Sequence, residues 1–244
     1  MVSLTSHVAI PCIDKKSCVE VVHALREPQH SYSRGELKLP AMFTGVSWES
    51  YRQFLQALGD RHVRHYYDRG TLEIMSPLKS HEWIKKLIGR FVEMMSWDQK
   101  ISIQSVGSMA VTSNLMERGF EPDESYYIAN ESKVRGKLHF QPDVDPPPDL
   151  VIEIDVTRKS RRKLRLLAAM KVPEIWLHDS KQLKFLIRTR RGEYKERASS
   201  KAFPFLQPDD ISKFIEQYGE VSENDLITAF LKWSRKCSKQ RGSA

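Results

Sequence analysis

Apolar and polar positions are patterned unevenly along the chain. Residues 1–41 carry little periodicity beyond a short helical pattern near 18–25. The Ser, Gly and Pro of 31–40 read as a linker, so this stretch is expected to be a weakly structured extension. The patterning sharpens at Met42. A helix is expected over 48–58, with Ser47 as N-cap and Glu49 in the first turn, where the helix dipole favours an acid. Two strand-like runs, 62–68 and 71–75, meet at Arg69-Gly70 and predict a β-hairpin that Ser76-Pro77 ends. Trp83, Ile84, Leu87, Ile88, Phe91, Val92 and Met95 then form one continuous apolar stripe at helical spacing.

Residues 101–106 and 109–112 read as short strands, 113–121 as a polar loop, and 125–128 as another brief strand. A charged excursion over 130–145 closes at Pro146-Pro147-Pro148. Residues 149–155 are the most strand-like run, mostly apolar, as a central strand covered on both faces would be. A helix over 160–171 and a strand over 174–178 complete a βαβ crossover. Runs 183–189 and 193–197 flank Arg190-Arg191-Gly192 as a second hairpin. Terminal helices are expected over 208–218 and after Ser222, with Leu226, Ile227, Phe230 and Leu231 facing inward. There is no internal repeat. The expected fold class is α/β, a mixed β-sheet core flanked by α-helices on both faces, in one domain over 42–235 with a polar tail at 236–244.

Composition narrows the class. With 244 residues, 40% hydrophobic and 29% charged, the chain supports a packed core and is not globally disordered. No apolar run approaches the roughly 18 residues of a membrane-spanning helix. Residues 1–11 lack the basic-then-apolar pattern of a secretory leader. Cys12, Cys18 and Cys237 are odd in number and far apart, which offers neither a disulfide framework nor a zinc knuckle and fits a cytoplasmic protein. Lys and Arg number 39 against 31 Asp and Glu, a net charge of +8 that weakly favours a polyanionic partner.

Candidate chemistry lies in three acidic settings and one basic one. Glu121-Pro122-Asp123-Glu124 enters a short strand, with Pro122 fixing the backbone before Asp123. In the strand over 149–155, side chains alternate, so Asp149, Val151, Glu153 and Asp155 share one face. A carboxylate buried there costs several kcal/mol in practice unless an Arg, a Lys or a metal ion accompanies it. The helix that follows is dense in cations: Arg158, Lys159, Arg161, Arg162, Lys163 and Arg165. Lys163 stands four residues before Leu167, at the margin of the apolar stripe, where it can reach inward. The other cations read as a solvated face or, beside carboxylates, as contacts for phosphates. Carboxylates with a lysine suit magnesium chemistry on phosphodiesters, since the ion takes one or two carboxylates and keeps several waters. His62 and His65 point to opposite faces of their strand and make a poor metal pair. Gly107 and Gly119 belong to no phosphate-cradling loop.

Four motifs in one order carry a family resemblance. They are Gly70-Thr-Leu-Glu-Ile-Met-Ser-Pro77 followed by His81-Glu82; Arg118-Gly-Phe-Glu-Pro-Asp-Glu124 with Tyr126-Tyr-Ile128; Pro147-Pro-Asp-Leu-Val-Ile-Glu-Ile154; and Val172-Pro-Glu-Ile-Trp176. Over about 42–205 the chain resembles the Uma-type endonucleases, a branch of the restriction-endonuclease-like PD-(D/E)XK superfamily. The resemblance implies an Asp, a Glu and a Lys gathered around a divalent metal, Mg2+ or Mn2+. By motif position Asp123 and Glu153 are the metal-holding acids and Glu82 an auxiliary acid. Asp155 stands where the simple superfamily pattern has its lysine, and the resemblance places that lysine at Lys163 on the next helix. Leu167 and Lys171 stand where the family more typically has an aromatic and a glycine.

The expected function is a metal-dependent endonuclease acting on DNA, with Arg158, Lys159, Arg161 and Arg162 meeting the phosphates. By analogy with restriction enzymes a homodimer is expected, and no membrane association. The alternatives are a non-catalytic nucleic-acid-binding module on the same fold, or a protein-interaction component whose basic helix docks an acidic partner. Salt dependence of DNA binding separates the last from the others, because phosphate contacts release counterions.

Overall fold

A computed structural model describes residues 9–10, 41–59, 63–75, 79–154, 160–179 and 181–241. The chain divides into two compact units, one from Met1–Leu78 and Ala110–Glu121, the other from Lys79–Met109 and Pro122–Ala244. The strands expected in one mixed sheet fall into two, one in each unit.

The first unit joins β1 (Ala9–Ile10), β2 (Ala41–Thr44), β3 (Arg64–Asp68), β4 (Thr71–Met75), β6 (Val111–Ser113) and β7 (Arg118–Phe120) in the order β1-β2-β4-β3-β7-β6. Its helix α1 (Trp48–Leu58) starts where the Ser47 hydroxyl accepts the Ser50 N–H at 3.0 Å. Tyr51, Phe54 and Leu58 on its inner face pack with Phe43, Tyr67, Leu72 and Ile74. The β3–β4 hairpin turns through Arg69 and Gly70, at φ 40° and 96°, and positive φ at both central residues matches the right-handed twist of the strands.

Strand β7 corrects the polar loop expected over 113–121. It pairs with both β3 and β6, but three residues are too few to show alternation. Gly119 sits in it because a Cβ there would lie 2.3 Å from the Tyr51 hydroxyl oxygen.

In the second unit, β5 (Gln104–Ser105), β8 (Glu124–Tyr127), β9 (Leu150–Ile154), β10 (Glu174–His178), β11 (Leu183–Arg188) and β12 (Tyr194–Arg197) stand in the order β12-β11-β10-β9-β8-β5. Only β9 and β10 run parallel among these paired strands, joined through helix α4 (Ser160–Ala169) as a βαβ crossover. The charged excursion over 130–145 contains one helical turn, α3 (Glu131–Val134).

Helix α2 (Lys79–Asp98) buries Leu87, Ile88, Phe91, Val92 and Met95 against Leu150, Ile152, Ile154 and Trp176. Each such side chain contributes roughly 1.5–3 kcal/mol. Helices α5 (Pro208–Ile215) and α6 (Glu223–Arg241) complete this core through Phe214, Leu226 and Phe230. Ser222 caps α6, its hydroxyl oxygen accepting the Asp225 N–H at 3.2 Å. Helix α4 covers the opposite face of the sheet, the face that carries Glu153.

Candidate active site

All five residues of β9 are buried, as a strand with paired neighbours on both edges and helices over both faces requires. Alternation sends Leu150, Ile152 and Ile154 to the α2 side and Val151 and Glu153 to the α4 side. Glu153 is 1% exposed. Its carboxylate forms an ion pair with the Lys163 ammonium from the first turn of α4. Leu166 and Leu167, buried one turn further on, seat that helix on the sheet. The Lys163 stem crosses the apolar margin and delivers its charge inward, which offsets the desolvation of the carboxylate.

Asp123 immediately precedes β8 and is also buried. The β8–β9 register pairs Glu124 with Ile152 and Ser125 with Val151, and Asp123 stands one residue before the first of these pairs. One oxygen of Asp123 accepts the Ile154 N–H at 2.7 Å. Asp123 is thereby held at the backbone of the residue that follows Glu153, whose carboxylate carries the Lys163 ammonium.

Glu82 stands in the first turn of α2, the helix over the other side, and pairs with Lys85 at 2.6 Å. Glu124 points to the α2 side as well. It lies near Gly89, where a Cβ would stand 3.8 Å from its carboxylate and 3.0 Å from the Tyr126 hydroxyl oxygen. The Tyr126 hydroxyl donates to Glu93 at 3.2 Å. Burial first, then the charges of Glu124 and Glu93, push that phenol well above its ordinary pKa.

Other buried acids have structural roles. Asp149 accepts the N–H groups of Ile128 and Asn130, both at 2.8 Å, and so holds the loop after β8. Glu174 accepts the Trp176 indole N–H at 2.9 Å and the Ala202 N–H at 2.8 Å, while burial raises its pKa. Arg161 and Arg162 are exposed on α4. Arg158, Lys159 and Asp155 lie outside the described residues, as does His62. Two side chains on the Glu153 face had no signal in the sequence: Arg188, whose Nε donates to the Ala168 carbonyl at 2.8 Å, and Tyr194, beside it across the β11–β12 ladder. Their proximity to α4 comes from strand pairing some twenty residues away, which local patterning does not encode.

Among the described residues, no group of three or more His, Cys, Asp or Glu side chains is arranged to hold a metal. The donors that Asp123 and Glu153 offer are hard carboxylate oxygens. They fit magnesium or manganese, of which magnesium often takes one or two carboxylates and fills its remaining positions with water or substrate.

Helices on both faces of a mixed sheet, with buried acids and a lysine among them, define an α/β protein. The profile of the Uma2 family, described as "Putative restriction endonuclease", matches residues 48–214. The chain belongs to the Uma2 family. Among solved structures it is similar to "a putative nuclease belonging to DUF820" from Anabaena variabilis ATCC 29413, with 15% identity and a TM-score of 0.47 over 76% of this chain and 99% of that one. No curated protein matches the chain. Family membership supports a nuclease-like function. No helix among the described residues is long and apolar enough to cross a membrane.

Proposed function

We propose that this protein is a divalent-metal-dependent endonuclease that hydrolyses phosphodiester bonds in DNA, with Asp123, Glu153 and Lys163 as its working groups. The observation that carries the reading is the buried Glu153, paired with Lys163 and followed by Ile154, whose N–H the Asp123 carboxylate accepts. Asp123 and Glu153 would hold Mg2+ or Mn2+, which when bound supplies Lewis-acid polarisation of a phosphoryl oxygen and a more acidic water. The Ile154 N–H keeps the Asp123 carboxylate in one orientation. Lys163 bears a compact charge on a flexible stem, able to leave Glu153 for the negative charge that grows on the attacked phosphate. The low-dielectric surroundings of both acids strengthen each of these interactions. Arg158, Lys159, Arg161 and Arg162 meet backbone phosphates. Two copies of the chain would supply one such site per DNA strand.

The test is plasmid cleavage with magnesium or manganese, with EDTA, and with Glu153→Ala prepared identically. Cleavage should require both the metal and Glu153, the variant losing roughly a hundredfold or more. Unchanged cleavage by Glu153→Ala contradicts the assignment. Absence of both cleavage and calorimetric metal binding would replace it with a non-catalytic nucleic-acid-binding module.

A further inference from the structure

The register of β9, β10, β11 and β12 places Glu153, Leu177, Lys184, Leu186, Arg188 and Tyr194 on one face of the second sheet. On that face a cavity of about 400 Å³ opens between α4 and the β11–β12 hairpin. Its floor is apolar, made by Leu164, Ala168, Ala169 and the body of Tyr194. Its rim is cationic: Arg161 and Arg165 stand one turn apart on α4, and Arg188 faces them from β11. Glu193 is the single acid in the lining, so three positive charges face one negative charge.

Two parts of this cavity are fixed from within the fold. The Arg188 Nε–H donates to the Ala168 carbonyl at 2.8 Å, and the Tyr194 hydroxyl donates to the Val172 carbonyl at 2.7 Å. Two are not. Arg161 and Arg165 are exposed, and among the described residues neither guanidinium has a hydrogen-bond or ion-pair partner.

We infer that this cavity holds one unpaired nucleotide of a nucleic-acid strand, its base on the apolar floor and its phosphate among Arg161, Arg165 and Arg188. The inference deepens the nuclease reading and rests on nucleic acid being the substrate. A phosphate alone would use the guanidinium forks, which match its oxygens geometrically, and would have no use for an apolar floor. A planar base does, since unstacked bases are held against aromatic and aliphatic walls and against guanidinium planes. The volume is that of an ordinary small-ligand site. The pocket therefore favours a strand whose base is already unpaired or is extruded on binding, which selects single-stranded, nicked or distorted DNA over regular duplex.

Calorimetry on the full chain with deoxyadenosine monophosphate, inorganic phosphate and deoxyadenosine tests this. The nucleotide should bind at least about tenfold more tightly than either of its parts. Arg161→Ala/Arg165→Ala, at exposed positions, should reduce nucleotide affinity to that of the nucleoside. Ala169→Leu, which fills the floor and keeps the charge, should weaken the nucleotide and leave phosphate unchanged. Phosphate binding as tightly as the nucleotide, or nucleotide affinity indifferent to Ala169→Leu, overturns the inference in favour of a plain anion patch. Wild-type plasmid cleavage without nucleotide binding overturns the pocket and leaves the nuclease reading standing. Nucleotide binding with neither cleavage nor metal binding supports the pocket and removes the nuclease reading.

Discussion

Two buried glutamates of this chain show what burial and ion pairing do and do not mark. In the first unit Glu121 is 5% exposed, binds Arg64 at 2.9 Å, and lies 3.4 Å from the His65 ring nitrogen, while its own N–H bonds the His65 carbonyl. In the second unit Glu153 is 1% exposed and binds Lys163. Both acids are desolvated and both have a cation. Arginine presents a permanently charged planar fork, and the Glu121 pair fastens the end of β7 to β3. Lysine brings a point charge on a mobile stem, and the residue after Glu153, Ile154, donates its N–H to a second acid, Asp123. A buried acid with a fixed partner reads as structure. A buried acid with a lysine partner and a second acid near its backbone is what the proposed function uses.

That contrast can be broken at several points. Arg64→Ala leaves Glu121 charged and unaccompanied in the interior, and should cost about 3–5 kcal/mol in urea unfolding with no loss of cleavage per folded molecule. Lys163→Ala should lower turnover roughly a hundredfold while metal affinity falls much less, because the proposed function has its charge act on the phosphate. Equal losses of turnover and calorimetric metal affinity would contradict that role. Gly119→Ala forces a methyl group against the Tyr51 ring and should cost about 1–3 kcal/mol, read as a lower urea midpoint.

Asp98→Asn should have the smallest effect. Asp98 is held by the Arg235 guanidinium, with Nε–O distances of 2.9 and 3.0 Å, which keeps its carboxyl below the ordinary aspartate range. Because the folded-state pKa is lowered, the stabilisation is present above the unfolded value of about 3.9 and is lost as pH falls through the lower folded one. Arg235 is largely exposed, so the difference between wild type and variant should be under about 1 kcal/mol at neutral pH and should vanish in acid.

Much of the fold is legible in the sequence because its longer elements repeat their pattern several times. The Ser47 cap, the Arg69-Gly70 turn, the α2 stripe and the βαβ crossover each leave a local signature. What is not legible depends on partners distant in sequence. Glu121 and Asp123 stand two residues apart, yet the chain passes between them from one compact unit to the other, and the Glu-Pro-Asp run carries no mark of that division. Strand β7 is short and holds a glycine for the sake of Tyr51, so its pattern resembles a loop. Within the site, a lone charge in an apolar strand points to Glu153, and the helical spacing to Leu167 points to the reach of Lys163. Arg188 and Tyr194 reach the same face through the ladder of β10, β11 and β12, beyond what any window of sequence contains.

The most direct measurement compares plasmid cleavage by Glu153→Gln and Glu121→Gln, each assayed well below its own unfolding midpoint and scaled to folded protein. The account predicts that Glu153→Gln loses metal-dependent cleavage roughly a hundredfold or more, while Glu121→Gln, though less stable, cuts within a few-fold of wild type. Wild-type cleavage by Glu153→Gln, or equal losses in the two folded variants, would contradict it.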